Sequence, residues 1–528
     1  MKKSSIIATG KLKENKTRWY FRMQIKNRPN ILIFMVDEMQ NDVTREEHPC
    51  HMPRLKEFAK EGMTFTNAFT CSPHCCPSRA TFMTGAYPTR HGIFNNVDTV
   101  TAHQHGLNPG VRLFSEDLKE AGYEMAIAGK WHVSHKESPS DRGWTEWSEY
   151  HKNGKLLGYD NAKYNLNIAT PLRRPGWGDA PFIDKHYEGP DAYKQDWYYD
   201  YAIKPGMQAL KYLVEGEKPW CLFVSTDMEG RTSCPREYYE RYDQEKIELP
   251  KSFSDTLEDK PNIYRRLREQ VWGQLSETDA KAGIANYWAN CEQQDSFFGE
   301  LLDALEDTGK KENTIVLFIS DHGDYNFSHG LQYMGIPSFR EAYHIPAIMR
   351  WPEGIKKQGS KIDELVTLAD FAPTFLELAK TEPEDEKTGR SLVPFLKEGR
   401  AGGWPDAWHS QTKGNEVYYT QRIVATKDYK YVYNAFDYDE MYDLKTDHHE
   451  MVNLIHPSRH KKSLSPEETR ELTEDNPWPH LPDDLNEIRK NMLAKMWNFA
   501  IKENDIIFSQ FPPVAISAFG PALAKEKL

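Results

Sequence analysis

The segment Cys71-Ser-Pro-His-Cys-Cys-Pro-Ser-Arg-Ala-Thr-Phe-Met-Thr-Gly85 concentrates residue types that can do chemistry. Pro77 suits the first turn of a helix, where a missing N–H leaves no bond unmade. Cys75 would then stand at the N-terminus of that helix, where the positive end of the dipole favours an anion. Arg79 would follow about one turn later, close enough to hold an anion or an activated nucleophile. A lone cysteine before an ordinary helix is more often an inert buried thiol, so this stretch alone does not decide. Seven cysteines lie at 50, 71, 75, 76, 221, 234 and 291. An odd, sparse set in a long chain is not a disulfide framework. The crowding between 50 and 76 leaves a zinc site or a reactive thiol. Cys71, Cys75 and Cys76 lack C-x-x-C spacing, which favours the reactive residue.

Such a group needs elements to position it. Ile31 to Val36, Cys221 to Ser225 and Thr314 to Ile319 are short apolar runs rich in β-branched and aromatic residues, as buried parallel strands are. Amphipathic segments lie between them, among them Leu113 to Glu120, with Gly122 to close it, and Ala285 to Leu305. Strands alternating with helices predict an α/β fold with a mostly parallel sheet. Asp37 and Glu38 directly follow the first strand, and Asp321 and His322 follow the third. Ligands of open α/β sheets bind beyond the carboxyl ends of strands, so two acidic clusters far apart in sequence are expected to meet. Residues 135–215, rich in Trp, Tyr, Pro and Gly, read as long insertions, and 250–283 as a charged, helical surface excursion. Beyond about 385 the pattern changes. Arg422 to Ala425, Tyr429 to Tyr433 and Met441 to Leu444 read as a small antiparallel sheet with a helix, Pro482 to Phe499, packed on it. The division expected is an extension at 1–27, a catalytic α/β domain at 28–385 and a C-terminal α+β subdomain and tail at 386–528.

Cys75-x-Pro77-Ser78-Arg79 resembles the signature of the formylglycine-dependent sulfatases, in which a maturation enzyme oxidises the cysteine. Gly122-Tyr123 with Gly129-Lys130-Trp131-His132 resembles the family's second signature. Ser320-Asp321-His322-Gly323 and His329-Gly330-Leu331 resemble its third conserved region. Asp370-Phe-Ala-Pro-Thr-Phe, Met441-Tyr-Asp-Leu and Asn453-Leu454 are also family-like, and the matches run in the expected order over roughly residues 28–455. The resemblance implies an alkaline-phosphatase-like fold. It implies calcium, or a similar divalent ion, held by Asp37, Asp321, His322 and the modified residue 75, with Glu38 a further candidate ligand. Oxygen ligands with one nitrogen suit calcium better than zinc.

The resemblance also implies the chemistry. A hydrated aldehyde at position 75 attacks sulfur, with Arg79 and the metal lowering the pKa of the attacking hydroxyl and Asp321 accepting its proton. Lys130 neutralises the sulfate oxygens. His132 removes the proton whose loss expels sulfate, a step unavailable to a serine. Two departures stand out. Many relatives have lysine where this chain has Met334, and a Pro-His pair where it reads Thr226-Asp-Met-Glu-Gly-Arg231. His329 therefore inherits the general-acid role by elimination. Arg231, Arg340 or His344 are candidates to replace the missing positive charge.

The bulk numbers bound the rest. The chain has 528 residues, 39% hydrophobic and 28% charged, as a soluble globular protein does. A net charge of -12 disfavours a nucleic-acid partner. No apolar run of about 18 residues predicts a membrane span, and the apolar stretch Ile6 to Ala8 is too short for a secretory signal, so cytoplasmic residence is the expectation. Aromatic residues make up 12% of the chain, with 14 Trp, and the many aromatics of the 135–215 insertion suggest stacking on sugar rings or packing of the insertion itself. A sulfated carbohydrate is the expected substrate. A phosphonate monoester or phosphodiester hydrolase is the rival enzyme, and a non-catalytic sulfated-glycan-binding relative the rival of another class.

Overall fold

The computed structural model describes residues 28–148, 183, 185–228, 233–415, 417–456 and 481–508, with short strands at 151–152, 155–156, 172–174 and 178–180. The proposed extension at 1–27 and Arg231 lie outside the described residues. The strands that build the main sheet are β1 (Asn30–Val36), β2 (Met63–Phe69), β3 (Glu124–Gly129), β4 (Trp220–Ser225), β5 (Thr314–Ser320), β6 (Ala347–Arg350) and β7 (Ser360–Thr367). Two further strands of two residues each, Thr145–Glu146 beside β3 and His344–Ile345 beside β2, bring the sheet to nine. Its centre runs β5-β1-β4-β3, all parallel; β5, β1 and β4 are the three predicted apolar runs, and β3 adds a fourth. β6 joins β5 antiparallel, and β2 pairs antiparallel with β6 and parallel with β7.

All seven residues of β1 are buried, because both of its faces are covered. Leu32, Phe34 and Val36 pack with Phe297, Phe298 and Leu301 of a long helix. Ile31, Ile33 and Met35 pack with Cys76, Ala80 and Phe82 of α1 (Cys75–Thr84). A strand buried on both sides needs no polar alternation, hence its uninterrupted apolar sequence.

The long helix, α2 (Glu277–Asp307), starts eight residues before the apolar periodicity suggests. Ser276 Oγ accepts the Asp279 N–H at 3.2 Å and the Asp279 carboxylate accepts the Ser276 N–H at 2.9 Å. That reciprocal cap fixes the first turn. The surface excursion accordingly ends before residue 277, and its helical part, Asn262–Gln270, buries only Tyr264.

The smaller sheet is antiparallel and four-stranded, β8 (Trp408–Thr412), β9 (Gln421–Ala425), β10 (Tyr429–Asn434) and β11 (Glu440–Asp443). Met496 and Trp497 of α3 (Asp483–Lys502) pack on Val424, Tyr431 and Tyr433. Just past α3, Asp505 accepts two bonds from Arg422 and one from Gln411, while Glu503 accepts from Arg90 and Thr388. The end of the chain described here thus ties the small sheet to the large domain. No helix among the described residues is long and apolar enough to cross a membrane.

Candidate active site

The four parallel strands deliver their next residues to one edge of the sheet, in the spatial order of the strands. β5 leads to Asp321 and His322, β1 to Asp37, β4 to Asp227 and β3 to Lys130. Above them stands the N-terminus of α1, with Cys75 as its first residue and Pro77 inside the first turn. Gly129 is the hinge that turns β3 toward the site. It has φ +96°, and a Cβ there would lie 1.9 Å from the Ser225 carbonyl oxygen, so only glycine fits.

Arg79 reaches the ends of all four strands from α1. Its Nε donates to Asp321 Oδ2 at 2.7 Å, and its Nη1 to Ser225 Oγ at 2.7 Å and to the Lys130 carbonyl at 3.2 Å. Its Nη2 stands 3.5 Å from Asp37 Oδ1. The guanidinium is 1% exposed. Lys130 Nζ donates to Asp37 Oδ2 at 2.9 Å and Asp227 Oδ2 at 2.6 Å, and lies 3.8 Å from Cys75 Sγ. Cys75 Sγ also lies 3.2 Å from His322 Nε2 and 4.0 Å from Asp37 Oδ2. The two acidic clusters separated in sequence therefore do meet, at the cysteine.

His322 Nδ1 lies 3.0 Å from the Gly323 carbonyl. A carbonyl only accepts, so Nδ1 carries the proton and Nε2 turns its lone pair to Cys75, Asp37 and Asp321. Asp37, Cys75, Asp321 and His322 each offer a donor atom within 4.8 Å of the others. Burial, then the nearby Asp37 charge, push the Asp321 carboxyl up to about 6. Against the same burial, Lys130 and Arg79 hold Asp37 well below the usual range. Lys130 and Arg79 face three carboxylates, Asp37, Asp227 and Asp321. A buried excess of negative charge around a lone pair of nitrogen electrons fits a divalent cation.

Glu38 enters differently from the other proposed ligands. Its backbone is left-handed, φ 65°, its N–H donates to Asp321 Oδ1 at 3.1 Å, and its carbonyl accepts from the Tyr287 hydroxyl at 2.9 Å. Its carboxylate is outside the set of mutually close donors. Its backbone N–H helps to position Asp321. His132, also left-handed at φ 49°, sets Nε2 3.4 Å from Asp98 Oδ1. Burial lowers the His132 pKa, and the imidazole bond draws Asp98 down to about 2, so the pair is a neutral base beside a carboxylate at neutral pH.

The remaining sequence candidates have partners outside the cluster at Cys75. His329 Nδ1 bonds Asp255 Oδ2 at 2.7 Å, and its ring stacks on Phe339 with centroids 3.5 Å apart. Met334 packs into the cluster that contains Phe339. Arg340 Nη2 bonds His344 Nδ1 at 2.7 Å, and His344 Nε2 bonds the Thr66 carbonyl at 2.8 Å. Both line a cavity of about 290 Å³ with Gln40, Asp42 and Arg45. The charge partner of Arg340 is Asp42, whose carboxyl Arg340 helps hold low against burial, while burial keeps His344 neutral by lowering its pKa to about 3. Sequence reasoning missed Asp227, although the signal was present, since it follows β4 much as Asp37 follows β1.

An α/β sheet that gathers acids, a cation pair and a helix-borne cysteine at its carboxyl edge defines a hydrolase of the alkaline-phosphatase-like class. The family description "Sulfatase" matches residues 29–381, and "N-sulphoglucosamine sulphohydrolase, C-terminal" matches 333–475. The chain belongs to the sulfatase family and is a sulfuric ester hydrolase. It is similar to the uncharacterized sulfatase YidJ of Escherichia coli, 28% identical over 81% of this chain and 83% of that one. It is also similar to an N-acetylglucosamine-6-O-sulfatase of Bacteroides thetaiotaomicron, 27% identical over 85% and 87%. Among solved structures, BT4656 in complex with D-glucosamine-2-N,6-O-disulfate has a TM-score of 0.65 at 20% identity, over 92% of this chain and 99% of that one. The phosphonate monoester hydrolase of Agrobacterium radiobacter shares the fold with the same TM-score at 19% identity, over 81% and 91%.

Proposed function

We propose that the protein removes sulfate from a carbohydrate, with formylglycine made from Cys75 by a maturation enzyme and a calcium ion held by Asp37, Asp321 and His322. The observation that carries this reading is the position of Cys75 Sγ, 3.2 Å from His322, 3.8 Å from Lys130 and 4.0 Å from Asp37. A side chain at the meeting point of the candidate ligands and the cations is where a reacting group belongs. Burial, then Asp37, push the unmodified thiol well above its ordinary pKa, so cysteine itself would be a neutral, poor nucleophile there.

The hydrated aldehyde would supply an oxygen nucleophile and a way to expel sulfate by elimination, and the cation would supply charge against the sulfuryl oxygens. The chain's own residues do the rest. Arg79 and Lys130 present fixed positive charge where negative charge builds on sulfate, without reorganisation. Asp321, pushed up to about 6, is suited to take the proton of the attacking group. His132, neutral and backed by Asp98, is suited to take the second proton. The support for a carbohydrate substrate is the sugar-directed activity of the Bacteroides relative and the family match at residues 333–475.

Mass spectrometry of the tryptic peptide bearing position 75 is the direct check on the nucleophile, since formylglycine is about 18 Da lighter than cysteine. Converted protein should then cleave sulfated mono- and oligosaccharides faster than a phosphodiester with the same leaving group. Preference for the phosphodiester would reassign the enzyme, and fully converted protein that binds sulfated glycans without turnover would make it a binding relative. Metal analysis that finds zinc instead of calcium would reject the ion named here.

A further inference from the structure

The Lys130 ammonium sits on a flexible four-carbon stem and carries three N–H donors. Two of them are committed, to Asp37 Oδ2 at 2.9 Å and to Asp227 Oδ2 at 2.6 Å. With two acceptors fixed, the remaining donor direction is fixed as well, and residue 75 lies 3.8 Å away. Asp37 is claimed by the cation site, so the anchor dedicated to Lys130 is Asp227. We infer that Asp227, braced by Tyr198, is a positioning residue that aims the Lys130 ammonium at the sulfuryl group. This rests on the reading of Lys130 given above.

The brace comes from the aromatic insertion. The Tyr198 hydroxyl donates to the same Asp227 Oδ2 at 2.9 Å. One helical turn on, the Tyr201 hydroxyl donates to the Gly129 carbonyl at 2.8 Å, just before Lys130 in the chain. Tyr198 is 1% and Tyr201 7% exposed. Ser225 and Gly129 are cross-strand partners, so Asp227 and Lys130 leave adjacent strand ends whose spacing the sheet sets. The tyrosines grip both sides of the lysine from outside the sheet. These two rings of the 135–215 insertion thus serve the catalytic edge instead of stacking on sugar.

A double-mutant cycle tests the assignment. Asp227→Ala in formylglycine-containing enzyme should lower kcat/KM by about 10- to 100-fold, less than the loss of a direct donor to the developing charge because the Lys130 ammonium itself remains, and act mainly on kcat. In a Lys130→Ala background the same change should cost less than about threefold, because nothing is left to position. Tyr198→Phe should give a smaller loss that is also absent in that background, and it carries the test if Asp227→Ala does not fold. Asp227→Asn, which keeps an acceptor of the same shape, should restore part of the loss. Equal losses in both backgrounds would overturn the role of Asp227 alone. Unchanged turnover in Lys130→Ala by itself would overturn the reading of Lys130, and with it this one.

Discussion

Arg79 Nε donates to Asp321 Oδ2 at 2.7 Å, and neither side chain is reached by solvent. The bond joins α1, which carries residue 75, to the end of β5, which carries Asp321 and His322, two of the proposed cation ligands. Removing the guanidinium should therefore damage both activity and stability. Arg79→Ala is expected to cost about 100- to 1,000-fold in kcat/KM and about 3–5 kcal/mol in denaturant unfolding, as breaking a buried pair does. Arg79→Lys should recover little, because a single ammonium cannot replace a fork that bonds Asp321, Ser225 and the Lys130 carbonyl together. Wild-type turnover in either variant would show that the fork is structural only.

Two fully buried carboxylates close together predict a strong response to chelation. Asp37 and Asp321 are 1% and 0% exposed. Removing the ion should abolish turnover and lower the melting temperature, since a ligand at 100 times its Kd stabilises by about 2.7 kcal/mol. Asp37→Asn should lose activity and also the shift of melting temperature on adding calcium. A calcium-induced shift that persists unchanged in that variant would place the ion elsewhere.

His91 gives a pH signature away from the reaction centre. Its Nδ1 accepts the Ile93 N–H at 3.1 Å and its Nε2 lies 3.0 Å from Thr81 Oγ1, under the last turns of α1. Burial pulls its pKa from 6.5 down to about 3. The unfolded chain therefore binds more protons than the folded one between those values, so stability is lost as pH falls below about 6.5. At pH 5 the loss from this residue is about 2 kcal/mol. His91→Gln should be less stable than the parent at pH 7.5 yet lose less on going to pH 5, as read from thermal melts at both values. Parallel losses in the two proteins would count against the assignment.

How much of this was legible in sequence follows from how each position is specified. Asp37, Asp321 and Cys75 were legible because strand ends and a helix start are local patterns, and a parallel sheet converts them into one place. Asp227 carries the same strand-end signal, but the family resemblance points to a Pro-His pair at that place. Tyr198 and Tyr201 are invisible because the insertion has no period and their contacts bridge 29 and 72 residues. Arg340 and His344 were placed by charge alone, and charge does not say which neighbour a residue faces. The pairing of His344 with Phe69 across strands does.

Elimination among the family-like residues leaves His329 as the general acid, and its surroundings make that role measurable. The short bond to Asp255 holds an N–H on Nδ1, since despite burial the His329 bond and the Lys260 charge hold that carboxyl below its usual range, so the proton a general acid gives up would be the second one, on Nε2 of the imidazolium. Nε2 is buried and meets no hydrogen-bond partner among the described residues. The stacked Phe339 ring leaves the imidazole little freedom to turn. A general acid matters in proportion to the basicity of the leaving oxygen. His329→Ala should thus cost about 100- to 10,000-fold on a sugar or alkyl sulfate, and much less on a nitrophenyl sulfate, whose leaving group needs no proton. Asp255→Asn, which removes the carboxylate that orients the ring and stabilises its charged form, should show the same dependence with smaller losses. Equal losses across the series of leaving groups would make His329 a scaffold of the loop that follows β5, and the acid would have to be sought at Lys130 or His132.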